Sequence, residues 1–172
     1  MYRERMETLK EWKVSKNRKP LIIRGARQVG KTWLMKEFGK LYYEKCAYIN
    51  FDNNSRMDIL FNEEFDLNRI IQGLKIESGI NIEPENTLII FDEIQETPNA
   101  LKALKYFYEN ANEYHIVAAG SLLGVAMHQG TSFPVGKVNF MDLMPLSFFE
   151  FLDALGQDHL LNLLKNNEFD MI

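Results

Sequence analysis

Residues 21–38 read LIIRGARQVGKTWLMKEF. The run LIIRG is short and apolar and closes on glycine, as expected of a strand buried on both faces. From Lys31 onward, Thr32, Leu34, Met35, Phe38 and Leu41 recur at helical spacing. Between strand and helix, Gly25 to Thr32 satisfies G-x-x-x-x-G-K-[ST] without substitution. Glycine at both ends lets the backbone curl so that successive N–H groups point inward at phosphate oxygens. The helix that follows offers its positive end to the same anion. Gly25, Ala26, Arg27, Gln28, Val29, Gly30, Lys31, Thr32 and Trp33 are therefore read as the nucleotide-binding stretch. Lys31 is expected to reach the β- and γ-phosphates and the Thr32 hydroxyl to ligate Mg²⁺. Trp33 is expected to pack the helix start against the sheet.

A phosphate loop needs a metal and a route for water, and NTLIIFDEI (residues 86–94) supplies candidates for both. Asp92 ends an apolar strand, where the carboxyl ends of a parallel sheet place their ligands. It is expected to hold Mg²⁺ through coordinated waters. Glu93, on the other side of the strand, is positioned to polarise the attacking water. Ser121 closes the strand HIVAAGS, so it reads either as a γ-phosphate sensor or as an ordinary helix N-cap. Asn50 ends a further strand near the same rim, where it is placed to hold Glu93 inactive. His115, His128 and His159 show no ligand spacing with one another or with Cys46.

The rest of the chain alternates strands with helices. Helical spacing predicts a helix over residues 2–14, a second over 67–78 with Leu67, Ile70, Ile71, Leu74 and Ile76 inward, and a third opening at Pro98. CAYINFD (46–52) and YHIVAAGS (114–121) read as strands, with another around Lys137 to Leu143. A loop is expected after CAYINFD, and LSFFEFLDAL and HLLNLLKNN read as helices. This is an α/β pattern, a parallel sheet covered on both faces. The 172 residues suffice for one full core, with a helical lead-in at 1–18, a nucleotide-binding core at 19–146 and C-terminal helices at 147–172.

Composition narrows the setting. No apolar run approaches the roughly 20 residues needed to span a bilayer, and the charged N-terminus carries no apolar signal core, so a cytoplasmic protein is expected. Cys46 is the single cysteine, which excludes an internal disulfide and reads as a small buried residue. Net charge is −4, unevenly spread: residues 1–45 hold 13 Lys+Arg against 5 Asp+Glu. That segment fits contact with nucleic acid or an acidic partner, but its short-spaced charges without interleaved aromatics better fit a solvated lead-in.

With RGARQVGKTWL, IIFDEIQ, AAGSLLG and FPVGKVNFMDLMPLSFFEFL in order, the chain resembles a prokaryotic family of AAA+-type ATPases. In that family this domain is usually followed by a C-terminal domain of unknown function. The resemblance implies an additional-strand P-loop NTPase fold of sheet order 5-1-4-3-2, ATP and Mg²⁺ as ligands, and Glu93 as the water-activating residue. It carries the Gly25–Thr32 loop, Asp92, Glu93 and Ser121 onto this sequence. The family's arginine after PVG is replaced by Lys137, and no arginine follows Arg69. Lysine lacks the planar fork of an arginine finger, which leaves Lys137 a weak candidate for that role.

The leading expectation is thus an ATPase that couples hydrolysis to an appended domain or partner, with homo-oligomers possible. Its rival is a nucleotide-gated switch with negligible turnover alone, with DNA as a candidate partner. A helicase-type motor lacks a second lobe, and a small-molecule kinase lacks a readable acceptor site.

Overall fold

The computed structural model describes residues 3–62, 65–120, 134 and 136–165. In chain order the elements are α1 (Arg5–Val14), β1 (Leu21–Arg24), α2 (Lys31–Tyr42), β2 (Lys45–Asn50), α3 (Ser55–Asn62) and α4 (Leu67–Ser78). Then come β3 (Thr87–Asp92), a 3₁₀ turn (Ile94–Glu96), α5 (Pro98–Asn110), β4 (His115–Ala119), β5 (Asn139–Asp142), α6 (Phe148–Ala154) and α7 (Asp158–Lys165). The strands form one sheet in the order β2-β3-β4-β1-β5. Every pairing is parallel, with Leu21 opposite Val117 on one side and Asn139 on the other. The expected α/β class and the order 5-1-4-3-2 both hold.

Alternation along the strands divides the core in two. Ile22, Ile89, Phe91, Ile116 and Ala118 face α3, α4 and α5. Leu21, Ile23, Leu88, Ile90, Val117 and Ala119 face α1 and α2. Because β3 and β4 are buried on both sides, their sequences are apolar almost without interruption. Phe51, Phe61 and Phe91 meet at centroid distances of 5.2 to 6.1 Å and lock α3 onto β3.

Several sequence expectations change here. A helix, α3, occupies the segment expected to be a loop. The last strand is shorter than Lys137–Leu143, running only from Asn139 to Asp142. Leu41 and Ile76, expected inward, are exposed. Residues 5–14 are more than a lead-in: Met6, Leu9 and Trp12 belong to the α2-side core. Basic side chains of this helix and of the turn after it are fasteners, since Lys13 donates to the Tyr42 carbonyl and Arg18 to that of Asn112 at 2.6 Å. Lys19 likewise donates to Gly136 at 2.7 Å.

His115, at the amino end of β4, is buried beside Trp12, with Nδ1 2.7 Å from the Tyr43 hydroxyl. Burial, then the charges of Arg18 and Lys13, push it down from 6.5 to about 4. Between those values the unfolded chain takes up a proton that the folded chain refuses, so its stabilising contribution is full above pH 6.5 and lost as pH falls toward 4. Thermal melts should therefore show a falling midpoint from pH 6.5 to 5, before most carboxylates titrate, and a flatter profile for His115→Phe. Equal slopes in the two proteins would remove His115 as the cause.

Candidate functional site

At the carboxyl ends of the strands the chain turns out of β1 through Gly25. A Cβ there would fall inside van der Waals contact of the Leu143 carbonyl oxygen, so the loop passes where only glycine fits. Gly30, directly before α2, sits at φ 92, a left-handed value that side chains resist. The loop thereby delivers Lys31 as the first helical residue, with the α2 amino end facing the loop.

Lys31 is nearly buried, and its Nζ donates to the carbonyls of Gly25 at 2.9 Å and Ala26 at 2.7 Å. Burial pushes its ammonium below the usual lysine range, the carboxylates of Glu93 and Asp92 pull it back up, and Arg27 pushes it down. Such a cation gains from an arriving polyanion, which supplies charge that the loop carbonyls only partly provide.

Asp92 ends β3 on the α2 face, in phase with Leu88 and Ile90, and is 5% exposed. Its Oδ2 accepts from the Thr32 hydroxyl at 2.7 Å and from the Tyr48 hydroxyl at 2.9 Å. Its Oδ1 accepts the Glu93 N–H at 3.2 Å. The Tyr48 phenol is pushed well above its ordinary value by burial, then by the Asp92 charge and hydrogen bond, so it stays a protonated donor near neutral pH. Two adjoining hard oxygen donors, one hydroxyl and one carboxylate, suit Mg²⁺, which keeps several waters and takes few protein ligands.

Strand alternation would turn Glu93 away from Asp92. Glu93 instead adopts φ 53, ψ 42, left-handed for a non-glycine residue, and it lines a cavity over the loop together with Lys31 and Thr32. Such a conformation costs on the order of 1–3 kcal/mol, which the surrounding packing must supply. The cavity, about 380 Å³, is lined by Arg27, Gln28, Gly30, Lys31, Thr32, Trp33 and Glu93. Trp33 is 37% exposed and lines this cavity, which corrects the expectation that it packs against the sheet. Gln95 donates to Glu93 at 2.7 Å, while the Asn50 side chain instead accepts the Asp52 N–H at 3.0 Å. The Glu93 carboxylate is thus bonded by Gln95, where Asn50 was expected.

Tyr48 and Gln95 are the site residues that motif reading missed. Gln95 closes the quoted IIFDEIQ run but was given no role there, and Tyr48 becomes visible only once β2 is known to pair with β3. Lys137 lies elsewhere. It precedes β5 at the amino ends of the strands, paired with Glu109 at 2.9 Å. The phosphate loop is at the opposite end of the sheet, which corrects any role for Lys137 at the same chain's γ-phosphate. Ser121 lies outside the described residues.

The loop is also held from behind. Arg3, buried to 4% exposure, sits 3.3 Å from Glu150 and donates to Met144 O at 2.8 Å and Val29 O at 3.4 Å. Glu150 belongs to the capping box of α6, so one guanidinium joins loop, β5 exit and α6.

Comparison with known proteins fits this geometry. Residues 17–152 match the family described as AAA domain. No curated protein matches the sequence. The Walker-type ATPase PABY2304 of Pyrococcus abyssi is similar in structure at TM-score 0.57 and 17% identity, over 90% of this chain and 57% of that one. Drosophila ORC bound to DNA aligns at 0.58 and 18%, over 95% of this chain and 48% of that one. The Aeropyrum pernix ORC1 protein in complex with DNA aligns at 0.52 and 14%, over 92% and 50%. The chain thus spans about half the length of these structures. No described helix is long and apolar enough to cross a membrane.

Proposed function

The chain belongs to the AAA domain family, and from that premise we propose that it is an Mg²⁺-dependent ATPase domain that couples hydrolysis to an appended domain or a partner. Nucleotide binding follows from the family; hydrolysis, metal and coupling are our reading. The observation that carries it is the convergence of Lys31, Thr32 and Glu93 on one cavity, with Asp92 bonded to Thr32.

In this reading the loop N–H groups from Gly25 to Thr32 and the α2 amino end hold the phosphates. Lys31 gives up its two carbonyl partners for the β- and γ-phosphate oxygens. Thr32 and Asp92 would hold Mg²⁺, which neutralises charge on the β- and γ-phosphates when bound. Glu93 takes the proton of the water that attacks the γ-phosphorus, and ADP and phosphate leave. Gln95 keeps that carboxylate placed until the water arrives. We assign the nucleotide-binding segment to residues 19–146, with the helix of 1–18 packed into its hydrophobic core and 147–172 following it.

No arginine follows Arg69 in the sequence, and Lys137 sits at the far end of the sheet. Arg27 lines the cavity and is the cation at hand for the transferring phosphoryl group; an arginine of another copy of the chain, of the appended domain or of the partner is the other source. ATP hydrolysis measured across protein concentrations, with and without duplex DNA, tests the proposal. Turnover per chain that rises with concentration supports assembly. Stimulation by DNA would extend to this chain what is seen bound to the two ORC neighbours. Tight binding with no hydrolysis under any condition would replace the enzyme by a nucleotide-gated switch.

A further inference from the structure

We propose that Tyr48 is a positioning residue for Asp92, and that its hydroxyl sets how strongly this site couples Mg²⁺ to nucleotide. The inference rests on the reading of Asp92 as the metal-side carboxylate. Tyr48 lies on β2 opposite Ile90, so Asp92 is its diagonal neighbour on β3, a span that an aromatic side chain bridges. Its hydroxyl reaches Asp92 Oδ2 at 2.9 Å, the same oxygen that Thr32 occupies at 2.7 Å. Two hydroxyl donors on Oδ2 fix the rotation of the carboxylate and leave Oδ1, with one longer bond from Glu93, as the less satisfied oxygen.

The ring is itself held. Lys36 places its ammonium 3.6 Å from the Tyr48 centroid, and Lys36 lies one helical turn beyond Thr32 on α2. Helix α2 therefore grips Asp92 twice, directly through Thr32 and through Lys36 and Tyr48 across the neighbouring strand. A carboxylate with a single anchor can rotate about its last bond, and each misrotated state is lost to the cation. Removing the outer hydrogen-bond partner of a metal-binding group typically lowers metal affinity about 10- to 100-fold. Because Asp92 would act through water, the lower end applies.

The test is calorimetric titration of ADP into wild type and Tyr48→Phe, in EDTA and in excess MgCl₂. The variant keeps the ring, its packing and the cation above it. The ratio of the two dissociation constants measures metal coupling, and a general loss of stability cancels from it. We expect the EDTA affinity to stay within about twofold and the ratio to fall about 10-fold in Tyr48→Phe. An unchanged ratio beside a wild type that couples normally overturns the role of Tyr48 alone. A wild-type ratio near one overturns the metal reading of Asp92 as well, and the two failures are thereby told apart.

Discussion

Glu93→Gln is expected to lower ATP hydrolysis roughly 100-fold or more while ATP binds as well as before or more tightly. The amide has nearly the shape of the carboxylate but cannot take a proton from water. Removing the charge also relieves repulsion between Glu93 and the phosphates that share its cavity with Lys31. The two effects have opposite signs on rate and affinity, so the pair of measurements is more telling than either alone. Quenched-turnover assays and nucleotide titration on one preparation suffice. Hydrolysis at the wild-type rate would remove Glu93 from the chemistry, even with the cavity intact.

Lys31→Ala should weaken ATP binding by roughly 100-fold, since charge-assisted hydrogen bonds are worth about 1.5–3 kcal/mol each and tenfold corresponds to about 1.4 kcal/mol. The unliganded protein should melt within a few degrees of wild type. Lys31 is a desolvated charge whose bonds to Gly25 and Ala26 offset only part of the cost of its burial. Unchanged calorimetric affinity would dismiss the phosphate-loop assignment. Collapse of the melting temperature would instead make Lys31 structural.

The phosphate loop was legible because its glycines answer to backbone geometry that leaves few alternatives. Asp92 was legible because a carboxylate after an unbroken apolar run has one physical place to go, the carboxyl end of the strand. Glu93 was found as a residue but misplaced as a direction: nothing in its neighbours announces φ 53. Helix α3 escaped notice because it is short, follows the Asn-rich stretch after Phe51, and buries only Met57 and Phe61. Ile76 and Leu41 kept the helical spacing, yet near the ends of their helices there was no sheet beneath them. Tyr48 bonds a residue on another strand, so its contact follows from strand order, whereas Gln95 bonds Glu93 two residues away through a turn that no periodicity announces. Strand order itself came with the family resemblance, not with the periodicity of the residues.

That strand order also dictates when, during synthesis, the protein can first work. Strand β1 is made early but lies between β4 and β5, so neither of its neighbours exists until residues 115–119 and then 139–142 have been added. A nascent chain that has left the ribosome as far as Asp92 carries every side chain assigned to phosphate and metal, yet lacks the wall that holds the loop in shape. Closing so long a span before any pairing repays it is slow, and it leaves the apolar edges of β1 open meanwhile. Nucleotide can therefore reward only the late, completed sheet, acting as a ligand that seals folding rather than one that starts it.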